Sequence, residues 1–149
     1  MAVTGVATFE RFFRAAASLD IDKDDLRRFR DFVNQKIYDL LVVAEGNAKA
    51  NDRDIIRPRD LPITKGLEEC VHQFRKLDED VGLLPILQEI VAYPPLDMGL
   101  GEDAEERLPL VAGGLSLALA RTFKIVDPDI KNPRTEDWDK AFAIFGLLL

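Results

Sequence analysis

One cysteine, Cys70, and one histidine, His72, are the whole supply of thiol and imidazole in 149 residues. A single cysteine excludes an internal disulfide. Two positions apart on a helix, the pair would diverge by roughly 200°, so the two side chains cannot chelate one metal ion together. Long apolar runs are lacking as well. The longest, Leu108 to Ala120, is broken by Pro109, Gly113 and Gly114 and falls short of a membrane span. Glu10 and Arg11 interrupt the early apolar residues, which excludes the basic-then-apolar pattern of a signal peptide. No serine, histidine and acid form a convincing triad, and Gly99 to Gly101 lead into acids rather than the lysine of a phosphate loop. The expectation is therefore a soluble cytoplasmic protein with no catalytic residues, no metal and no cofactor.

Positive charge is scarce too. Twenty Lys and Arg stand against 27 Asp and Glu, a formal charge of −7. Residues 1–75 carry 13 of each sign, so the excess acid lies wholly in residues 76–149, with 7 basic and 14 acidic side chains. Coating of DNA draws on net positive charge and counterion release. Only the first half could offer phosphate an attractive face.

What the chain does contain is a copy of itself. Asp52-Arg53-Asp54-Ile55-Ile56-Arg57-Pro58-Arg59 matches Asp127-Pro128-Asp129-Ile130-Lys131-Asn132-Pro133-Arg134 at five of eight positions, offset by 75 residues. Such a repeat implies two equivalent structural units. The hydrophobic spacing around each copy has one order. In the first half Thr8 to Ala17 predicts a short amphipathic helix, and Asp22 an N-cap for a long one over Lys23 to Ala50. Its apolar stripe is Leu26, Phe29, Val33, Ile37, Leu40, Leu41, Ala44 and Ala48. A short extended piece at Ile55–Ile56 precedes a third helix, capped by Asp60 with Pro62 in its first turn. In the second half Val81 to Ala92 predicts a short helix, Asp103 to Val126 a long one, Ile130 the extended piece, and Thr135 the cap of the last helix. Each half alone would bury too little surface to be robust, so the expectation is one body over 1–149, with its long helices crossing near their middles. Gly113 and Gly114 sit mid-way along the second long helix, where a close crossing or a local kink would explain them.

This short-long-short order, with a brief strand before the third helix, resembles the histone fold. Archaeal histones pair an arginine opening the second loop with an aspartate seven residues later, and Arg53 and Asp60 have that separation. The second half keeps Asp137 at its helix start, but Pro128 stands where the arginine would be. The resemblance is greatest to bacterial proteins that fuse two histone folds, and it implies an all-α chain with halves at 7–76 and 80–149 packed as an intramolecular pseudodimer. It also implies where DNA would be touched. Archaeal histones follow the loop arginine with a lysine and a threonine that meet phosphates; here Asp54 and Ile55, and again Asp129 and Ile130, occupy those positions. A carboxylate there repels phosphate.

Candidate nucleic-acid contacts remain in the first half, at Arg27 and Arg28 on the long helix and Arg57 and Arg59 in the loop. Asp24, Asp25, Asp31, Asp52 and Asp54 are interleaved with them, the pattern of a solvated, salt-bridged face. Asp20, Asp22 and Asp24 imitate the start of a calcium loop, yet Asp25 replaces its required glycine, and helix capping accounts for the acids. The functional expectation is a non-enzymatic protein-interaction or scaffold module with an unidentified protein partner, monomeric, off the membrane, and binding DNA weakly or not at all. The alternative is a nucleoid-associated DNA binder using the basic face of the first half.

Overall fold

The computed structural model describes residues 5–149, and the chain is all-helical apart from two dipeptide strands. Helix α1 (Val6–Ala17) buries Phe9, Phe12 and Phe13, one aromatic stripe at helical spacing. It ends at Ser18, whose left-handed backbone returns its N–H to the Arg14 carbonyl. Helix α2 (Lys23–Ala50) starts as its sequence demands. The Asp22 carboxylate accepts the N–H groups of Asp24 and Asp25, and Asp25 reaches back to the Asp22 N–H in a reciprocal box. Those bonds, with an Arg14–Asp20 ion pair at 3.4 Å, employ Asp20, Asp22 and Asp25 within the stretch that imitates a calcium loop.

The third helix begins later than the sequence predicts. Asp60 closes a 3-10 turn over Pro58–Asp60 instead of capping a helix, and α3 (Lys65–Val81) is capped by the Thr64 hydroxyl. The physical reason is that the Asp60 carboxylate is already committed to Arg53 and the Arg57 N–H. Helix α3 then runs through the expected junction between the halves. It stops at Gly82, which takes φ +78°, a left-handed conformation that favours glycine. Asp78 accepts from both the Leu83 and Leu84 N–H groups, so the turn into α4 (Leu84–Ile90) is fixed. Helix α5 (Glu102–Val126) follows, and α6 (Thr135–Leu148) ends the chain. Thr135 is the first residue of α6 rather than its cap; Asp137 instead binds back to the Arg134 N–H.

Helix α5 is the axis of the molecule. By length and composition it could cross a membrane, but Leu108, Val111, Leu115 and Leu119 are buried in one continuous core drawn from every helix. Its most extensive contact is not with the other long helix, which was expected to supply most of the buried surface. Helix α2 does pack on α5, yet the most extensive contact is between α3 and α5. Gly113 and Gly114 are where that contact happens. A Cβ at Gly113 would fall 2.3 Å from the Phe74 ring, and one at Gly114 would lie 2.5 Å from a Val71 methyl and 3.0 Å from its backbone nitrogen. The glycines let α3 press against the backbone of α5.

Substitution should separate that role from ordinary helix propensity. Gly46, in the C-terminal part of α2, is exposed with nothing near its missing Cβ. Gly46→Ala should therefore raise stability by about 0.5–1 kcal/mol. Gly113→Ala should lower it by about 1–3 kcal/mol despite the same propensity gain, because Phe74 is fully buried against Phe12 and cannot yield. Thermal melts of the two variants would decide, and equal stabilisation would remove the packing account.

Candidate functional site at the paired loops

The two halves meet at their loops in a reciprocal way. The loop after α2 pairs with the segment before α5, as β1 (Ile55–Ile56) and β2 (Gly99–Leu100) run parallel with Ile55 opposite Gly99 and Ile56 opposite Leu100. The Gly101 N–H extends the ladder to the Ile56 carbonyl at 2.9 Å. At the other end of the molecule the loop before α2 meets the loop after α5, where the Asp20 N–H donates to the Lys131 carbonyl at 2.7 Å. Ile56 and Ile130 both turn into the core, although the repeat aligns Ile130 with Ile55, which is exposed.

Arg53 and Asp60 lie together at the first junction. Two guanidinium nitrogens each sit 2.6 Å from a different carboxylate oxygen, a parallel bidentate pair. Asp60 is 2% exposed, and it also accepts the Arg57 N–H at 2.8 Å, while its carbonyl accepts from Asn47. The Arg53 hydrogen bonds hold the Asp60 carboxyl down at about 2, against burial that pushes it upward. The second junction has no such pair, since Pro128 stands at the equivalent of Arg53. Lys124 closes that loop instead by donating to the Ile130 carbonyl, and Arg28 bridges Asp25 at 3.2 Å and the Thr135 hydroxyl at 2.6 Å. Burial raises the Asp25 carboxyl from its ordinary value.

The four candidate DNA-contacting arginines do not form one patch. Arg27 and Arg28 stand at the start of α2, and Arg57 and Arg59 lie beyond its end, so roughly 33 Å of straight helix separates the two pairs. This corrects the reading of a single basic face. Arg28 and Arg57 are also engaged, with Asp25 and with Asp103 at 3.5 Å. Arg27 and Arg59 are exposed, and among the described residues neither is within ion-pair distance of a carboxylate. The loop acids Asp54 and Asp129 are exposed at opposite junctions. Cys70 is half-buried on α3 and His72 exposed, and among the described residues no three His, Cys, Asp or Glu side chains converge as a metal site.

Sequence reasoning missed the clamps on the long connection before α5. Asn34 on α2 donates to the Ile90 carbonyl at 3.1 Å and accepts from the Ala92 N–H at 2.9 Å, and Glu45 accepts from the Asp97 N–H at 3.0 Å. The one signal was an asparagine within the apolar run of α2, where asparagine is a weak helix former.

The carboxyl of Asp60 makes the first junction sensitive to acid. Its folded value is depressed, so the stabilisation is present above the unfolded value near 4 and is lost as pH falls toward 2. Asp60→Ala should cost about 1–3 kcal/mol at neutral pH by stranding Arg53. Denaturation midpoints measured from pH 6 to pH 2 should fall less steeply for Asp60→Asn than for the unaltered chain. Parallel pH profiles would show the pair to be uncoupled from folding.

A family model described as a domain of unknown function (DUF1931) matches residues 9–146. A protein of Thermus thermophilus, known from its crystal structure, is 51% identical over the full length of both chains, with a TM-score of 0.86. A second crystal structure, of protein AQ328 from Aquifex aeolicus, is 29% identical over 97% of this chain and 95% of that one, also with a TM-score of 0.86. An Aquifex aeolicus (strain VF5) protein described as uncharacterized is 32% identical over 120 residues, 80% of this chain and 70% of its own.

Proposed function

The chain belongs to the DUF1931 family, and we propose that it is a non-enzymatic interaction module: two fused histone-fold halves, a pseudodimer within one monomeric cytoplasmic chain, that serves as a scaffold for a protein partner. The reciprocal loop pairing carries this reading. In it the loop after the first long helix meets the segment before the second, and the loop before the first meets the loop after the second. Such an arrangement locks two short-long-short units face to face and leaves their outer surfaces to partners. The Arg53–Asp60 clasp, at the separation found in archaeal histones, supports the same assignment. Fold alone does not name a function, so the argument for a protein partner rests on charge.

Both junctions place a carboxylate at the loop position that archaeal histones give to lysine, and the chain carries −7 overall. The cations that could offset this are few, split between the ends of α2, and half of them are paired. Contact with one or two phosphates at each end gives weak, salt-dependent binding without sequence preference. DNA binding by the basic residues of the first half stays the second reading, because Arg27 and Arg59 are unpaired and exposed among the described residues.

A salt titration of duplex-DNA retention tests the choice. Retention should be detectable only at low salt and absent near 150 mM, and Asp54→Lys with Asp129→Lys should strengthen it measurably by replacing repulsion with attraction at both ends. Submicromolar binding by the unaltered protein near 150 mM salt would put DNA first. For the protein reading, affinity capture from native lysate should yield a stoichiometric partner that survives nuclease treatment.

A further inference from the structure

Between Lys76 and Arg107 the chain has no basic side chain. Residues 77–106 hold nine acids and no Lys, Arg or His, and they form the end of α3, all of α4, the long connection and the start of α5. Among the described residues only Asp103 of these acids is within ion-pair distance of a base. The fold closes this acidic stretch around an apolar hollow. Phe74, Arg75, Asp78 and Glu79 on α3, Leu84 on α4 and Leu110 on α5 line a cavity of about 380 Å³ open to solvent. Phe74 is fully buried there, and Leu84 and Leu110 are half-buried.

The walls of this groove are fixed from within. The Asp78 carboxylate accepts the Leu83 and Leu84 N–H groups at 2.6 and 3.0 Å, which ties α4 to the end of α3. Gly113 lets the Phe74 ring lie against α5. The rim is acidic. Glu79 is exposed in the lining, and Glu106, also exposed, stands one turn before Leu110 on the same face of α5. Most nearby cations are engaged or turned elsewhere. Arg107 pairs with Glu68 at 3.9 Å, Arg11 donates to the Val81 carbonyl, and Lys76 lies roughly 200° round α3 from Asp78. Arg75 is the one cation in the lining, against Asp78 and Glu79. An apolar hollow with a net acidic rim complements a segment that is apolar at its centre and basic at its flanks.

We propose that this groove docks a basic, amphipathic segment of a partner protein, with one apolar side chain seated on Phe74, Leu84 and Leu110 and flanking Lys or Arg side chains meeting Glu79 and Glu106. This deepens the scaffold reading, on which it rests, by naming the partner's chemistry. A second copy of the chain is the competing occupant, through the arginines of its first half. It is disfavoured because residues 1–75 carry 13 charges of each sign, so those arginines arrive with as many acids.

The probe is a short fluorescein-labelled peptide of leucine and lysine with its leucines at helical spacing, titrated by anisotropy at about 150 mM salt, where the screening length is about 8 Å. It should bind saturably, one peptide per chain. Glu79→Lys with Glu106→Lys should weaken it about tenfold by reversing two exposed charge contacts. The same change of net charge on α6, Glu136→Lys with Asp139→Lys, should cost less than about threefold, because those exposed side chains lie outside the groove and are screened. A peptide with serine in place of leucine should bind about tenfold more weakly, as should the leucine peptide to Leu110→Asn. Circular dichroism checks each variant, and the serine peptide tests the apolar floor on the unaltered chain should Leu110→Asn fold poorly. No saturable binding, equal effects of the two reversals, or undiminished binding of the serine peptide would each overturn the proposal. Self-association in sedimentation that the groove reversal abolishes would overturn it too, by assigning the groove to a second copy. Capture from lysate separates this from the scaffold reading. A partner retained equally by the unaltered chain and by the groove reversal would remove the groove and leave the scaffold; peptide binding with no captured partner would count against the scaffold alone.

Discussion

Everything in this molecule depends on how closely α3 can approach α5. Neither half holds a core of its own: α5 has apolar side chains around most of its circumference, and α3 buries only Leu67, Val71, Phe74 and Val81. The first half's third helix and the second half's long helix supply each other's missing surface. Gly113 and Gly114 set the distance at which they do so. In an exposed helix two adjacent glycines would cost about 1 kcal/mol each. Here that cost is offset by the burial of Phe74 and Val71 against backbone, in a core with little space for an added methyl group.

The loops then convert a packing arrangement into a fixed one. Parallel pairing of β1 with β2 at one end and the Asp20–Lys131 bond at the other stop the halves from sliding along α5. The two ends are not held by the same chemistry. The first uses a buried, bidentate ion pair whose second carboxylate oxygen also serves the backbone, while the second uses a lysine and an arginine reaching to a carbonyl and a hydroxyl. Charge-assisted bonds to a buried carboxylate are the stronger kind. The two ends shift theirs in opposite directions: Arg53 holds Asp60 down, while burial pushes up Asp25, the partner of Arg28 beside the second junction.

Much of the fold was legible from periodicity. The limits of α2 came directly from an apolar stripe in steps of three and four behind an aspartate cap, and α5 was placed within one residue at its start. The short helix of the second half is Leu84–Ile90 rather than 81–92, because α3 runs on to Val81, and the second strand is Gly99–Leu100 rather than at Ile130. Two further errors share one cause. Asp60 and Thr135 each have the chemistry of a cap, but whether a side chain caps depends on what else claims it, and that is tertiary information. Asp60 was claimed by Arg53, so the helix waited for Thr64. The glycine pair was likewise visible as an anomaly, with a close helix among its explanations, while the identity of the neighbour was not: α3 reaches α5 only after the chain has turned twice.

The candidate site was legible in its chemistry and not in its layout. Arg53 and Asp60 are seven residues apart within one loop, so sequence separation and spatial separation nearly coincide. Arg27, Arg28, Arg57 and Arg59 are likewise clustered in composition, but most of the 28-residue α2 lies between the two pairs, and a helix is a rigid spacer. Two small cationic ends are a different object from one basic face. A face neutralises several adjacent phosphates at once, while separated ends, each ringed by Asp54 or Asp129 and their acidic neighbours, act as isolated charges in a repulsive field. The internal duplication therefore preserved the scaffold's pairing geometry while its two loop surfaces kept acids in equivalent places. That combination leaves two separated cationic ends and no continuous cationic face among the described residues.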